Sequence, residues 1–185
     1  GVSTESGIPD FRGANGFYFQ EREIPLETVL SIDFFERHPQ AYWEWFHEIY
    51  RPVEPNGAHR ALASLEAAGR LDAVITQNID GLHQRAGSRT VWELHGNWER
   101  LVCTSCGAVA SLGDAITVDG GPVPACPSCT SQMRPDIVMY GEALDQGVIE
   151  AAVSAIARAS VLIVAGTSLV VYPAAGLINY FSGDH

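Results

Sequence analysis

The sequence predicts an α/β fold with an open, mostly parallel sheet and helices on both of its faces. Two short, branched apolar runs, LDAVIT at Leu71–Thr76 and VLIVA at Val161–Ala165, have the composition of buried parallel strands. Shorter runs at Val91–Leu94 and Asp136–Tyr140 are further strand candidates. Helical patterns alternate with these runs, as is typical of parallel sheets. The helical stretches are His59–Ala68, Leu144–Ala159 and Ala174–Phe181.

Two segments interrupt this alternation and are predicted to be insertions that form a smaller lobe. Residues 19–54 are rich in aromatic and acidic side chains and are predicted to be a helical module. Residues 98–134 carry the cysteines among glycine-containing turns and are predicted to be a zinc ribbon. The remaining segments, 1–18, 55–97 and 135–185, are then assigned to a Rossmann-like domain.

The ends of the chain bear on how complete this sheet is. The sequence opens on a loop, Gly1–Gly13, and closes on a turn-like tail, Ser182–His185. A doubly wound sheet has strands at both of these places. We therefore expect these residues to be an internal portion of a longer protein, with the sheet incomplete at both ends.

Four cysteines form the pairs Cys103-x-x-Cys106 and Cys126-x-x-Cys129, with nineteen residues between the pairs. This spacing predicts four thiolates closing a tetrahedron around one zinc ion. Because all four ligands are sulfur, no coordination position stays open for water or substrate, and the zinc is expected to be structural. Two disulfides are the alternative, which the lack of a secretory signal and the paired CxxC spacing disfavour.

Composition excludes several classes of function. The chain has 22 acidic and 11 basic residues, a net charge of −11, and its cations are all arginine. Without lysine, neither a lysine Schiff base nor a P-loop lysine is available. An acidic chain without a basic stripe does not suit direct nucleic-acid binding. No apolar run approaches the length of a membrane span, so no membrane partner is expected.

Polar loops follow the predicted strands, where ligands collect in open α/β sheets. The small and hydroxyl-bearing residues of Gly1–Gly13 would let backbone approach a phosphate closely. The amides and carboxylate of Thr76–His83 can bind ribose hydroxyls or a carboxamide. Taken singly, each loop could be an ordinary turn.

Two further loops carry potential chemistry. His95-Gly96 follows the run VWEL and is well sited as a general base, although a lone histidine is most often structural. The loop Gly166–Ser168 follows VLIVA and bears two hydroxyls. The signatures GxGxxG, GxxxxGK, GxSxG and HExxH are absent. The residues alone therefore indicate a nucleotide-type ligand and a structural zinc, without naming a reaction.

Together these motifs resemble the sirtuin family, and in particular its compact bacterial and archaeal members. The matching segments are GVSTESGIPDFRG, TQNIDGLHQRAG, ELHG, the two CxxC pairs, IVMYGE and GTSLVVYPAAGL, and they span nearly the whole chain. The resemblance implies an NAD-dependent protein-lysine deacetylase that acts on acetylated proteins. It implies that NAD is consumed, with release of nicotinamide, free lysine and O-acetyl-ADP-ribose, and that one structural zinc is present.

The same resemblance assigns roles to individual residues. His95 matches the catalytic base, and Asn78 matches a catalytic-pocket position. The positions matching NAD-binding residues are Gly1, Thr4, Phe11, Arg12, Gln77, Asn78, Ile79, Asp80, His95, Gly166, Thr167 and Ser168. Ser3 matches a polar residue near the ribose. The positions that would pair with the backbone of the substrate peptide are Val138, Tyr140, Gly141 and Glu142.

Some questions stay open from the sequence. Sirtuins that prefer succinyl or malonyl groups carry Tyr-x-x-Arg in the helical segment, and none occurs between residues 17 and 54, which favours acetyl or another uncharged acyl group. A sirtuin acting mainly as a mono-ADP-ribosyltransferase would use the same NAD pocket. An NAD-binding interaction module without turnover is the non-enzymatic alternative, which the presence of His95, Asn78 and Asp80 disfavours. We expect a cytoplasmic monomer.

Overall fold

The computed structural model describes residues 1–10, 24–117 and 120–183. The chain divides into two compact units. Unit 1 comprises Gly1–Gln20, Val53–Leu94 and Leu144–His185, and unit 2 comprises Glu21–Pro52 and His95–Ala143. Residues 95–97 and 135–143, which the sequence assigned to the Rossmann-like domain, thus belong to unit 2. Within the described ranges, no helix combines the length and the apolar character needed to cross a membrane.

The elements are numbered here in chain order. The α-helices are α1 (Leu26–Val29), α2 (Ile32–Arg37), α3 (Pro39–Ile49), α4 (Gly57–Ala67), α5 (Leu82–Arg85) and α6 (Gln146–Arg158). The strands are β1 (Val74–Thr76), β2 (Val91–Glu93), β3 (Gly96–Cys103), β4 (Val109–Ser111), β5 (Ile116–Thr117), β6 (Pro124–Ala125) and β7 (Met133–Ile137). Among the described residues, 3₁₀ helices span Val2–Ser6, Leu112–Asp114 and Ala174–Tyr180.

Unit 1 is built on the parallel pair β1 and β2, in which Thr76 lies opposite Glu93. This confirms the predicted parallel pairing, although β1 is shorter than the run Leu71–Thr76. Helix α6 packs on the pair through a core of buried apolar side chains, because its apolar residues recur on one face. That core comprises Leu94, Ala152, Ile156, Ala174 and Leu177. The helices predicted at 59–68 and 144–159 are confirmed as α4 and α6, and the one predicted at 174–181 is a 3₁₀ helix.

The prediction of a strand at Val161–Ala165 was wrong for the described structure. The segment has no strand assignment, and Val161, Ile163 and Val164 are 57%, 80% and 46% exposed. Only Leu162 packs against the core of unit 1. A strand needs a hydrogen-bonded neighbour for its N–H and C=O groups, and no described segment pairs with this run.

The sheet of unit 2 is antiparallel, with strand order β4-β3-β7. Gly96 lies opposite Ile137, and Cys103 lies opposite Met133. The predicted strand Asp136–Tyr140 is therefore displaced towards the N-terminus and belongs to this antiparallel sheet, not to a parallel one. Short apolar runs fit either kind of sheet, and only the pairing partner decides between them. The pair β5–β6 completes the zinc ribbon.

The predicted helical module is confirmed by α1, α2 and α3, which lie in unit 2. Its aromatic residues form a dense core in which most ring pairs meet edge to face, the geometry that ring quadrupoles favour. Phe35 and Tyr42 have ring centroids 5.0 Å apart and nearly perpendicular, and Trp43 and Phe46 are also 5.0 Å apart. These four side chains are at most 2% exposed.

Candidate active site and metal centre

The four cysteines of unit 2 converge as their spacing predicts. Their Sγ atoms all lie within 4.8 Å of one another, and three of the pairs are 3.5–3.8 Å apart. A tetrahedron with Zn–S bonds of about 2.3 Å has edges of about 3.8 Å, so the cluster has the size that a zinc ion needs. These separations are far longer than a disulfide bond of about 2.05 Å, and the cysteines are free.

Backbone donors support the same conclusion. The N–H groups of Ser105 and Cys106 point at Cys103 Sγ at 3.4 Å, and Ser128 N–H points at Cys126 Sγ at 3.4 Å. Donors aimed at sulfur stabilise thiolates, the form that binds metal. Cys103 and Cys126 are buried while Cys106 and Cys129 are exposed. The donor set therefore fits a structural zinc with every position filled by sulfur.

A buried polar network lies in unit 1 at the carboxyl end of β1. Ser3 Oγ donates to Asp80 Oδ2 at 2.6 Å, and Asn78 Nδ2 donates to Ser3 Oγ at 2.9 Å and to Asp80 Oδ2 at 3.1 Å. Asp80 Oδ1 accepts the Leu82 N–H at 3.0 Å. Ser3 and Asp80 are 4% and 6% exposed. Since a buried carboxylate is costly without donors, this network holds Asp80 and the Asn78 amide in one orientation.

His59 extends the network, and sequence reasoning missed it. Asn56 N–H donates to His59 Nδ1 at 3.2 Å, so the proton is assigned to Nε2, which faces Ser3 Oγ at 3.4 Å. Asn56 Oδ1 in turn accepts His59 N–H at 3.4 Å, which makes the cap of α4 reciprocal, and also accepts Ala58 N–H at 2.9 Å. The three-residue spacing Asn56-x-x-His59 was the available signal.

Two buried histidines lie beside this network, and their burial favours the neutral form. The rings of His59 and His83 meet edge to face with centroids 4.8 Å apart. Burial lowers the pKa of His59 below 6.5, and the nearby charge of Asp80 only partly opposes it. Burial also lowers the pKa of His83, with a further contribution from His59. Neutral imidazoles leave Asp80 without a cationic partner from this pair.

Three of the predicted cofactor loops meet within unit 1. A Cβ added at Gly1 would lie 2.9 Å from Gly166 Cα, and one added at Gly166 would lie 2.9 Å from Val2 N. Gly166 also has a φ of +67°, which side-chain-bearing residues rarely adopt. Gln77 Nε2 reaches Thr167 Oγ1 at 3.5 Å. The first loop, the loop after β1 and the loop at 166–168 therefore form one polar surface.

The other predicted cofactor residues are placed as follows. Thr4 is exposed and donates to Gly1 O at 2.8 Å, and Ile79 is half-buried beside Asn78. Ser168 is exposed. Phe11 and Arg12 lie outside the described residues.

His95 is half-buried in the tight turn between β2 and β3 and is the first residue of the second segment of unit 2. Its carbonyl accepts Val138 N–H at 3.0 Å. The next residue must be glycine: Gly96 has a φ of +78°, and a Cβ there would lie 2.1 Å from Asp136 O. The backbone contact between β3 and β7 thus orients the residue that carries the predicted general base.

The predicted substrate segment continues from β7. Tyr140 N–H donates to Leu30 O at 2.9 Å and Tyr140 O accepts Ile32 N–H at 3.0 Å, so this residue is tied to the connection between α1 and α2. Glu142 does not face outward. It forms two hydrogen bonds with Arg134, each of 2.6 Å, and accepts Met139 N–H at 2.8 Å.

Comparison with known proteins agrees with this arrangement. A family model described as the Sir2 family matches residues 1–173. A protein of Clostridium acetobutylicum named NAD-dependent protein deacetylase is 48% identical over 188 residues, which cover 100% of this chain and 76% of that protein.

Solved structures show the same likeness. A Sir2 with a deacetylated p53 peptide and 3'-O-acetyl ADP ribose superposes with a TM-score of 0.86 at 46% identity, covering 97% of this chain and 73% of that one. A Sir2 with a p53 peptide and NAD⁺ gives 0.83 at 46% identity, with coverage of 97% and 72%. This confirms the predicted α/β fold with an inserted smaller lobe. Since the family model and the relatives cover nearly the whole sequence, the chain belongs to the Sir2 family.

Proposed function

We propose that the chain is an NAD-dependent protein-lysine deacetylase that yields free lysine, nicotinamide and O-acetyl-ADP-ribose. The observation that carries this function is the buried Ser3–Asn78–Asp80 network next to the meeting point of the cofactor loops. The relative from Clostridium acetobutylicum is named for this activity. One similar Sir2 structure holds the deacetylated peptide with the acetylated ADP ribose, and another holds a peptide with NAD⁺.

The residues of unit 1 suit NAD in kind. Asp80 and Asn78 present a fixed carboxylate and amide, which can hold a carboxamide and ribose hydroxyls. Beside the close contact of Gly1 and Gly166, the exposed residues Thr167 and Ser168 present hydroxyls that can bind phosphates. When bound, NAD supplies the ribose carbon from which nicotinamide departs. Because the network is already formed, little reorganisation is needed when the reactant binds.

His95 is the residue that would move the proton in this reaction. An imidazole can accept a proton from a ribose hydroxyl near neutral pH. The other residue of this turn, Leu94, has no group that could do so. The backbone of His95 is held by Val138 N–H and by the close approach of Gly96 to Asp136 O. The role of the protein is to keep the base in a fixed orientation.

Mass spectrometry of the chain with an acetyl-lysine peptide and NAD tests this proposal. We expect deacetylated peptide and O-acetyl-ADP-ribose in equal amounts. His95→Ala should lower the rate by a factor of about 10² or more, the usual contribution of a positioned base. His38→Ala removes an exposed histidine from the same unit and is the matched control. An active His95→Ala variant with intact zinc would remove the proposed base.

The preferred acyl group is proposed to be acetyl or another uncharged group. In the described part of the helical module, Arg37 is exposed and paired with Asp33 at 2.7 Å. Arg51 is exposed and bonds to the carbonyls of Tyr50 and His47. A buried succinyl carboxylate would thus lack an arginine partner from the described part of this module, at a substantial cost. Equal rates on acetyl and succinyl peptides would contradict this preference.

The monomeric state and the cytoplasmic location stay predictions. Size-exclusion chromatography with light scattering tests the first, and cell fractionation of the source organism tests the second.

A further inference from the structure

One ion pair in unit 2 differs from the others in the described residues. Arg134 and Glu142 form a two-pronged contact with both N···O distances at 2.6 Å, and their side chains are 21% and 25% exposed. The pairs Arg100–Asp136 and Arg37–Asp33 are 41–71% exposed. Two parallel charge-assisted bonds away from water are stronger and more directional than a single exposed contact.

The pair also closes a loop of backbone. Besides its contact with Glu142, Arg134 donates to Ile137 O at 2.9 Å, and Glu142 accepts Met139 N–H at 2.8 Å. The two side chains therefore bracket the peptide groups between the end of β7 and Gly141. This stretch lies past the last β3–β7 ladder pair, where, among the described residues, the backbone is held by Val138 N–H to His95 O and by the isolated bridge of Tyr140 to Ser31.

The surroundings make the pair costly to break. Tyr42 is fully buried, and its hydroxyl has no hydrogen-bond partner in the described structure. Burial raises the pKa of Tyr42, with Arg134 opposing and Glu142 adding to the rise, so both charges lie near a neutral phenol. Burial works against ionisation of Glu142, but the bonds from Arg134 and Met139 N–H outweigh it and lower its pKa. Removing one charge would leave the other half-buried and unpaired.

The bracketed stretch is where the peptide is expected to add as a strand. Its backbone is anchored on one side by Val138 N–H to His95 O at 3.0 Å and on the other by Tyr140 to Leu30 and Ile32. Strand addition depends on edge N–H and C=O groups at fixed spacing. A change in the path of Val138–Tyr140 would disturb peptide pairing and leave the NAD-binding residues of unit 1 in place; His95, which lies in unit 2 and bonds to Val138, is the exception.

We propose that Glu142, held by Arg134, is a positioning residue for the acetylated peptide: it fixes the backbone of Val138–Tyr140 and does not itself contact the substrate. This inference rests on the proposed function. It revises the assignment of Glu142 as a peptide-binding residue. The ligand is an acetyl-lysine peptide in an extended conformation.

Steady-state kinetics with an acetyl-lysine peptide and NAD separates this role from a merely structural one. For Glu142→Gln we expect the KM for peptide to rise about tenfold, equivalent to about 1.4 kcal/mol, with the KM for NAD within about twofold. Arg134→Met should give the same change, and the double variant should be no worse than either single variant, because the two side chains act as a unit. Arg134→Lys keeps the charge but loses the two-pronged contact, so its KM for peptide should lie between those of the wild type and Arg134→Met.

The matched control is Asp136→Asn, which breaks the exposed pair with Arg100 on the same strand and should leave the KM for peptide within about twofold. Zinc content and the unfolding midpoint are measured for each variant. If Glu142→Gln does not fold, the KM for peptide of Arg134→Lys provides the test instead. An unchanged KM for peptide in an active enzyme, or an equal rise in both KM values, overturns the inference. A wild-type chain that neither binds peptide by fluorescence anisotropy nor deacetylates it overturns the proposed function as well.

Discussion

Replacing Gly96 by alanine tests the backbone contact that orients His95. The added Cβ would lie 2.1 Å from Asp136 O, and real Cβ atoms do not approach other heavy atoms closer than about 3.0 Å, so β3 and β7 must separate by roughly 0.9 Å. Overpacking of this kind costs about 1–3 kcal/mol. The left-handed φ of +78° costs an alanine about a further 1 kcal/mol. We expect a loss of about 3 kcal/mol in the free energy of unfolding.

Urea unfolding followed by circular dichroism, with zinc present, measures this loss. Gly107→Ala is the matched control: Gly107 lies in the same unit with a φ of +70°, but nothing lies within 4 Å of an added Cβ. It should lose only about 1 kcal/mol, the conformational cost alone. Because the separation moves the turn that carries His95, Gly96→Ala should also lower kcat by at least tenfold. If both variants lost the same stability, the approach of Asp136 O would not be what requires glycine.

Further predictions concern the metal, pH and helix capping. Cys126→Ser should lose zinc, measured by plasma emission, and lower the unfolding midpoint, because it removes a buried ligand; a folded, zinc-free variant would refute the structural role. The pKa values of His59 and His83 are lowered below 6.5, so between those values and 6.5 the unfolded chain binds more protons. The free energy of unfolding should therefore fall as pH drops from about 7.5 to about 5.5, and His83→Gln should flatten this dependence; an unchanged slope contradicts the assignment. Asn56→Ala should cost about 1–2 kcal/mol in urea unfolding, since it removes both the cap of α4 and the bond to Val2 O; a loss below about 0.5 kcal/mol would show that neither contact matters.

Much of the site could be predicted where the information is local. The zinc centre could be predicted because each CxxC turn brings its own two thiolates together, so the local sequence determines most of the site's geometry. The helices α4 and α6 could be predicted because their apolar residues recur with the period of a helix. The loop residues Asn78 and Asp80 come directly after β1, and a strand's carboxyl end is where a ligand site is expected, although this loop alone could be an ordinary turn.

The tertiary structure decided what depends on partners far away in the chain. Ser3 meets His59 and Asp80 across 56 and 77 residues, and Glu142 turns inward to Arg134. The run Val161–Ala165 has strand composition but no described partner, and Asp136 joined an antiparallel sheet with β3. Composition and periodicity indicate which residues are buried, but they do not indicate which distant segment of the chain each residue will contact. Hydrogen-bond partners across the chain are set only when the whole fold brings donor and acceptor together.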